Sequence, residues 1–216
     1  MSKLKACIFD LDGVIVDTAV YHYKAWKRLA NQLGFDFTEE QNEELKGISR
    51  IDSLKIILNW DDVSKTDEEM QELATLKNTW YVDMITKMTP KEILPGAKEF
   101  LALVKANNYL TALGSASKNS ETILKQIGLT HMFDALVDGN KVTKSKPNPE
   151  VFLVGAQELN VKPEECVVFE DAIAGVQAAK AGKMKAVGIG KADVLSEADL
   201  VIEGLFEMTI EKMENL

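Results

Sequence analysis

The sequence predicts an α/β fold: a Rossmann-like, doubly wound parallel sheet with an α-helical block inserted after its first strand. Two observations carry the sheet. Short, continuously apolar runs recur along the chain, as strands buried on both faces require, and segments with helical spacing separate them. A third observation carries the insertion. From about residue 17 to 89 the strand-like runs stop and only helical patterns remain.

Lys5 to Phe9 is the first apolar run. In the helical block that follows, Val20, Tyr23, Lys27 and Ala30 lie along one stripe, and His22, Trp26, Leu29 and Leu33 along its neighbour. Thr38, followed by Glu39, Glu40 and Gln41, reads as a helix start. Arg50 to Leu58 and Thr66 to Met84 read as two further helices. The alternating pattern resumes near Pro90 to Pro95. Strands are expected at Leu110 to Gly114, Ala135 to Val137, Cys166 to Phe169, Lys185 to Ile189 and Leu200 to Ile202. Helices are expected between them at Gly96 to Ala106, Ser120 to Ile127, Pro149 to Leu159 and Ala172 to Ala181. The expected division is a core of residues 1–16 and 90–216 and a cap of residues 17–89. Two linkers would join them, which suits opening and closing over a site.

Composition narrows the function. The 216 residues, 46% of them hydrophobic, suffice for a sizeable core. With 34 acidic against 25 basic residues the net charge is −9, which argues against sequence-independent binding to nucleic acid or to an anionic membrane. No apolar run approaches the roughly 18 residues of a membrane span. The start, MSKLKACIFDLDG, has acids where a signal peptide needs a longer apolar region. A cytoplasmic location is the expectation. Cys7 and Cys166 each sit inside an apolar run and outside any metal-binding spacing, as buried reduced thiols do.

The chemistry is expected where strands end, because doubly wound sheets bind ligands beyond the carboxyl ends of their strands. Asp10, Ser115 and Glu170 stand at such ends. Asp10 and Asp12 are separated by one leucine, and Gly13 permits a tight turn. Carboxylates beside buried strand residues cost free energy unless their position is rewarded. An acidic turn that merely ends a strand is the bland alternative. Glu170 and Asp171 also have one, a helix N-terminus favoured by the macrodipole.

Longer stretches join these residues into a pattern. FDLDGVIVDT, Phe9 to Thr18, resembles the first motif of the haloacid dehalogenase superfamily, whose members transfer phosphoryl groups through an aspartyl phosphate. Gly114-Ser115-Ala116-Ser117 is similar to its second motif, where a hydroxyl and backbone N–H groups hold phosphate. Lys146 in SKPNP, then VVFEDAIAGVQAAKAG, resembles the third and fourth motifs. The resemblance implies that Asp10 is the nucleophile and Asp12 the general acid and base. It implies one Mg²⁺ held by Asp10, the Asp12 backbone carbonyl, Glu170 and Asp171, with Lys146 and Ser115 neutralising phosphate.

Within the superfamily, DGVIVDTAVYHYKAWKRLA, LKGISRIDSL, ELATLKNTWY, LPG and GSASKN resemble the β-phosphoglucomutase family, from Lys5 to about Gly190. That family interconverts β-D-glucose 1-phosphate and glucose 6-phosphate through β-glucose 1,6-bisphosphate. Carried over, Arg50 would grip the distal phosphate, Lys46 and Gly47 would contact the sugar, and His22 would reach the site on closure. Thr18, Trp26, Ser53, Lys77 and Asn78 fall near the bound sugar phosphate, and Ala116, Ser117, Lys118 and Asn119 complete the second motif's pocket. Without the resemblance, His22 and Trp26 would read as structural and the Lys46 and Arg50 pair as a solvated helix face. The partner expected is a small sugar phosphate, on a monomer. A sugar-phosphate or phosphoglycolate-type phosphatase is the alternative enzyme, and a non-catalytic sugar-phosphate binder the alternative class. Gly139-Asn140-Lys141-Val142 and the tail beyond Gly190 match no functional pattern.

Overall fold

In the computed structural model, which describes residues 3–216, six strands form one parallel sheet. They are β1 (Ala6–Phe9), β2 (Leu110–Gly114), β3 (Ala135–Val137), β4 (Cys166–Glu170), β5 (Lys185–Ile189) and β6 (Leu200–Ile202), in the order β3-β2-β1-β4-β5-β6. The order reverses between β1 and β4, and that reversal opens the crevice where such sheets take their ligands. Ala6 pairs with Leu110 on one side and Cys166 on the other, so the ends of β1, β2 and β4 lie side by side.

Each face of the sheet is covered because side chains alternate along a strand. Cys7, Phe9, Val167 and Phe169 point into one core, with α5 (Ala97–Ala106) and α6 (Ser120–Ile127) packed over it. There Phe9 stacks on Phe169 at 4.7 Å between ring centroids, and Phe100 meets both edge-on at 6.2 and 5.3 Å. Ala6, Ile8, Cys166 and Val168 point into the other core, under α7 (Glu150–Glu158) and α8 (Ile173–Ala181). Both cysteines are free and buried.

Four helices follow β1 before the chain returns to the sheet at Ile93: α1 (Ala19–Leu33), α2 (Glu39–Glu43), α3 (Arg50–Trp60) and α4 (Asp67–Ile85). Two of their starts are capping boxes: Thr38 with Gln41, and Thr66 with Glu69. Trp26, Leu29, Phe37, Leu54, Ile57 and Ala74 close a third, smaller core among them. The buried face of α1 runs through Ala25, Trp26, Leu29 and Ala30, close to the stripe predicted from His22. Val20, on the companion stripe, is exposed, because burial on α1 is fixed by α4 and not by period alone. The chain leaves and re-enters the sheet side by side: Val16 bridges Ile93, and the Leu94 N–H donates to the Ile15 carbonyl at 2.9 Å.

Past Gly190, β6 extends the sheet and α9 (Ile210–Glu214) returns under it, where Met213 is buried and its sulfur lies 3.4 Å from the Cys7 thiol. This tail therefore closes the core. Gly96 starts α5 at φ +80°, and a Cβ there would collide with the Phe206 backbone. Gly96→Ala combines a left-handed penalty with overpacking and is expected to cost about 2–4 kcal/mol. Urea unfolding checks it: a lower midpoint with an unchanged slope is the expected result.

Candidate active site

One cavity of about 670 Å³ lies over the ends of β1 and β2, roofed by the helical insertion. Of the residues singled out in the sequence, all but Glu170 line it. Glu170 is fully buried beneath.

Its floor follows from period-two geometry. Asp10 comes directly after β1, and its N–H donates to the Phe169 carbonyl at 2.9 Å, prolonging the ladder. Leu11 turns into the hydrophobic core, so Asp10 and Asp12 face the cavity together. Gly13, at φ +75°, makes the turn, and any Cβ there would run into the Asp171 carboxylate. Lys146 reaches over from the loop before α7 and donates to Asp10 Oδ1 at 2.7 Å and Glu170 Oε1 at 2.6 Å, all three side chains buried. The second Glu170 oxygen accepts the Ala172 N–H at 2.8 Å.

Charge is concentrated here. Burial, and then the neighbouring Glu170, Asp12 and Asp171, push Asp10 well above the usual carboxylate range, with Lys146 working against them. Asp171 is pushed up to about 7 by burial and Glu170, against the pull of Lys46. Lys146 stays firmly protonated because Asp10 and Glu170 outweigh its burial. Carboxylate oxygens of Asp10, Glu170 and Asp171 come within 4.8 Å of one another. Three hard oxygen donors facing an excess of negative charge suit a divalent cation. The residues present fit one.

After β2, Ser115 and Ser117 share one device. The Ser117 N–H donates to Ser115 Oγ at 3.1 Å, and the Asn119 N–H donates to Ser117 Oγ at 3.2 Å. Each hydroxyl has thereby accepted a backbone proton and keeps its own O–H to donate into the cavity. Ala116 and Lys118 line the wall beside them.

The roof is cationic and aromatic. Lys77 is buried, with its Nζ 4.4 Å from the Trp26 ring and 4.8 Å from the Tyr81 ring, and burial, with Arg50 adding to it against Asp12, holds its pKa well below the ordinary lysine value. Its Nζ lies 2.9 Å from His22 Nδ1. Burial, with Lys77 and Arg50 adding to it, holds His22 well below its ordinary pKa, which favours the neutral ring. Thr18 donates to Asp12 Oδ1. Arg50 opens α3, whose N-cap Ser49 accepts the Asp52 N–H, and Ser53 is buried one turn on. Gly47, at φ +73°, turns the loop before it. Polar bonds tie roof to floor: Lys46 to Asp171 at 3.2 Å, Asn119 to Asn78 at 2.9 Å, Ser145 to Asp52 at 3.1 Å.

Asp52, Ser145 and Tyr81 also line the cavity and were not singled out. Tyr81 had one signal, its position four residues after Lys77 on the same helical face. Asp52 and Ser145 are 93 residues apart and had none.

A sheet of this order, with a carboxylate-lysine array at its strand ends and a helical roof, defines a class of phosphoryl-transfer fold. The family model described as haloacid dehalogenase-like hydrolase matches residues 7–189. The chain belongs to that family and is an enzyme. It is 43% identical to the β-phosphoglucomutase of Bacillus subtilis, across 96% of this chain and 93% of that one. It is 34% identical to the fructose-1-phosphate phosphatase of Escherichia coli, across 84% and 94%. The crystal structure of β-phosphoglucomutase from Clostridium difficile superposes with a TM-score of 0.95 at 42% identity, covering 98% of this chain and 96% of that one. Among the described residues no helix is long and apolar enough to cross a membrane.

Proposed function

We propose that this protein interconverts β-D-glucose 1-phosphate and glucose 6-phosphate through a phosphorylated Asp10 and β-glucose 1,6-bisphosphate, as a cytoplasmic monomer. The observation that supports it most is a single cavity holding both Asp10 with Asp12 on the floor and Arg50 on the roof. A bisphosphate needs both ends: one phosphate at the nucleophile, the other held at a distance.

Asp10 forms the bond to phosphorus as the bond from phosphorus to the sugar oxygen breaks. In the reverse direction a sugar hydroxyl attacks phospho-Asp10 and Asp12 takes its proton. Asp12 returns that proton to the leaving oxygen in the forward step. Lys146 fixes Asp10 through Oδ1 and, with the Ser115 hydroxyl, meets the charge on the transferring group. Asp10, the Asp12 carbonyl, Glu170 and Asp171 would hold Mg²⁺, which when bound screens carboxylate from phosphate. Lys46, Gly47, His22, Lys77, Asn78, Trp26 and Ser53 line the sugar's compartment and exclude water. Residues 17–89 act as a cap, hinged where Val16 and Ile93 run side by side.

The test is formation of glucose 6-phosphate from β-glucose 1-phosphate with Mg²⁺ and catalytic bisphosphate, the α anomer run beside it and phosphate release measured in the same tubes. Turnover of the β anomer alone, with little free phosphate, is the expected result. Fast phosphate release with no isomer would favour the second reading, a sugar-phosphate phosphatase, which the Escherichia coli relative motivates. Arg50→Ala should lower mutase turnover on the order of 10²-fold or more, since a desolvated phosphate grip is lost. Hydrolysis of a small phosphoester should hardly change. Equal loss in both assays would remove Arg50 from the distal site.

A further inference from the structure

Tyr81 carries a buried hydroxyl without a hydrogen-bond partner among the described residues. The residue lines the cavity. Its ring cannot swing away to find a partner. It lies 4.2 Å from the His22 ring with the Lys77 Nζ over it, on the face of α4 that buries Ala74, Lys77 and Ile85. The polar groups around it are Asp12, Thr18, Arg50 and Ser117. Thr18 donates its proton to Asp12, and the Ser117 hydroxyl, although its O–H is free to donate, does not reach Tyr81 in hydrogen-bond geometry. A hydroxyl that packing fixes in a polar cavity and leaves unpaired costs stability in the empty protein. Something entering the cavity is its natural complement.

Electrostatics narrows that partner. A phosphate oxygen next to the Asp12 carboxylate would meet repulsion, whereas a neutral sugar hydroxyl can both donate and accept there. We propose that Tyr81 is a specificity-determining residue whose hydroxyl hydrogen-bonds a ring hydroxyl of the bound sugar phosphate, beside the oxygen served by Asp12. The assignment rests on the sugar-phosphate reading above and names one of its contacts. A site built this way rejects a substrate lacking that hydroxyl, because the tyrosine is then left unpaired in a closed cavity.

Tyr81→Phe keeps the ring, its contact with His22 and its face toward Lys77. The substrate-free variant should melt at or above the wild-type temperature, since the orphaned group is gone. Its kcat/KM for β-glucose 1-phosphate should fall roughly 10- to 100-fold, the worth of one good hydrogen bond. Phosphorylation of Asp10 by acetyl phosphate, which has no ring, should be unchanged. The 2-deoxy, 3-deoxy and 4-deoxy analogues of β-glucose 1-phosphate are then compared on both proteins. One of them should lose on the wild type what the variant loses on the parent sugar, and lose little more on the variant. The proposal is overturned if the variant keeps wild-type kcat/KM, if acetyl phosphate turnover falls in parallel, or if every analogue loses the same factor on both proteins. Failure of the mutase reading looks different. It appears in the wild type as absent glucose 6-phosphate, and the same comparison is then read on phosphate release.

Discussion

Asp10→Asn is expected to lose the phosphoenzyme and at least about 10⁴-fold of turnover, the scale on which removal of a covalent nucleophile is felt. The side chain keeps its shape and can still accept from Lys146 at Oδ1, so the loss reports chemistry and not collapse. Stability should move the other way. Asp10 is an acid whose ionised form the folded protein disfavours on balance, through burial first, with Lys146 opposing and Glu170, Asp12 and Asp171 adding to it. A neutral amide relieves that repulsion, and the metal-free variant should melt at or above the wild type. Intact-protein mass spectrometry after incubation with acetyl phosphate checks the first half, and a thermal melt the second. A phosphoryl adduct on the asparagine variant, or none on the wild type during turnover, would end the case for Asp10.

Opposite movement of activity and stability is what a site under electrostatic strain produces. It also explains why the floor was readable in the sequence. The alternation Phe9-Asp10-Leu11-Asp12 puts charge where an apolar strand should continue, and that local conflict points to a site. Glu170 after the apolar run of β4 has the same character. The strands were legible for the complementary reason: doubly buried segments leave continuous apolar runs, and helices separate them. The helix starts at Thr38 and Thr66 follow from capping chemistry within four residues.

What the sequence left unread depends on contacts between distant residues. Val20 falls on a helical stripe yet is exposed, because α4 decides which side of α1 is covered. Ser145 meets Asp52 only after the insertion folds back over the sheet. The tail carries no pattern because Met213 and Glu214 matter through Cys7 and Tyr109, each more than 100 positions away. Tyr81 is the sharpest case. A tyrosine on the inner face of a helix reads as packing, and only the unpaired state of its oxygen separates it from its neighbours.

Asp12→Asn is expected to split the two half-reactions. The amide can still accept from Thr18, so the turn after β1 and the placement of Asp10 should persist. What disappears is the proton carrier. Transfer from phospho-Asp10 to a sugar hydroxyl requires that hydroxyl's proton to leave, and a positioned carboxylate contributes about 10²- to 10⁴-fold to such a step. Loading of Asp10 from acetyl phosphate has no such requirement, because acetate departs as a stable anion. Mutase kcat should therefore fall by that factor while the rate of phosphoenzyme formation from acetyl phosphate stays near wild type. Stopped-flow loading followed by addition of glucose 6-phosphate separates the two events. If both slow by the same factor, Asp12 works through the position of Asp10. The proton must then travel by another group, and the hydrogen-bonded pair in the roof, His22 and Lys77, becomes the one to vary.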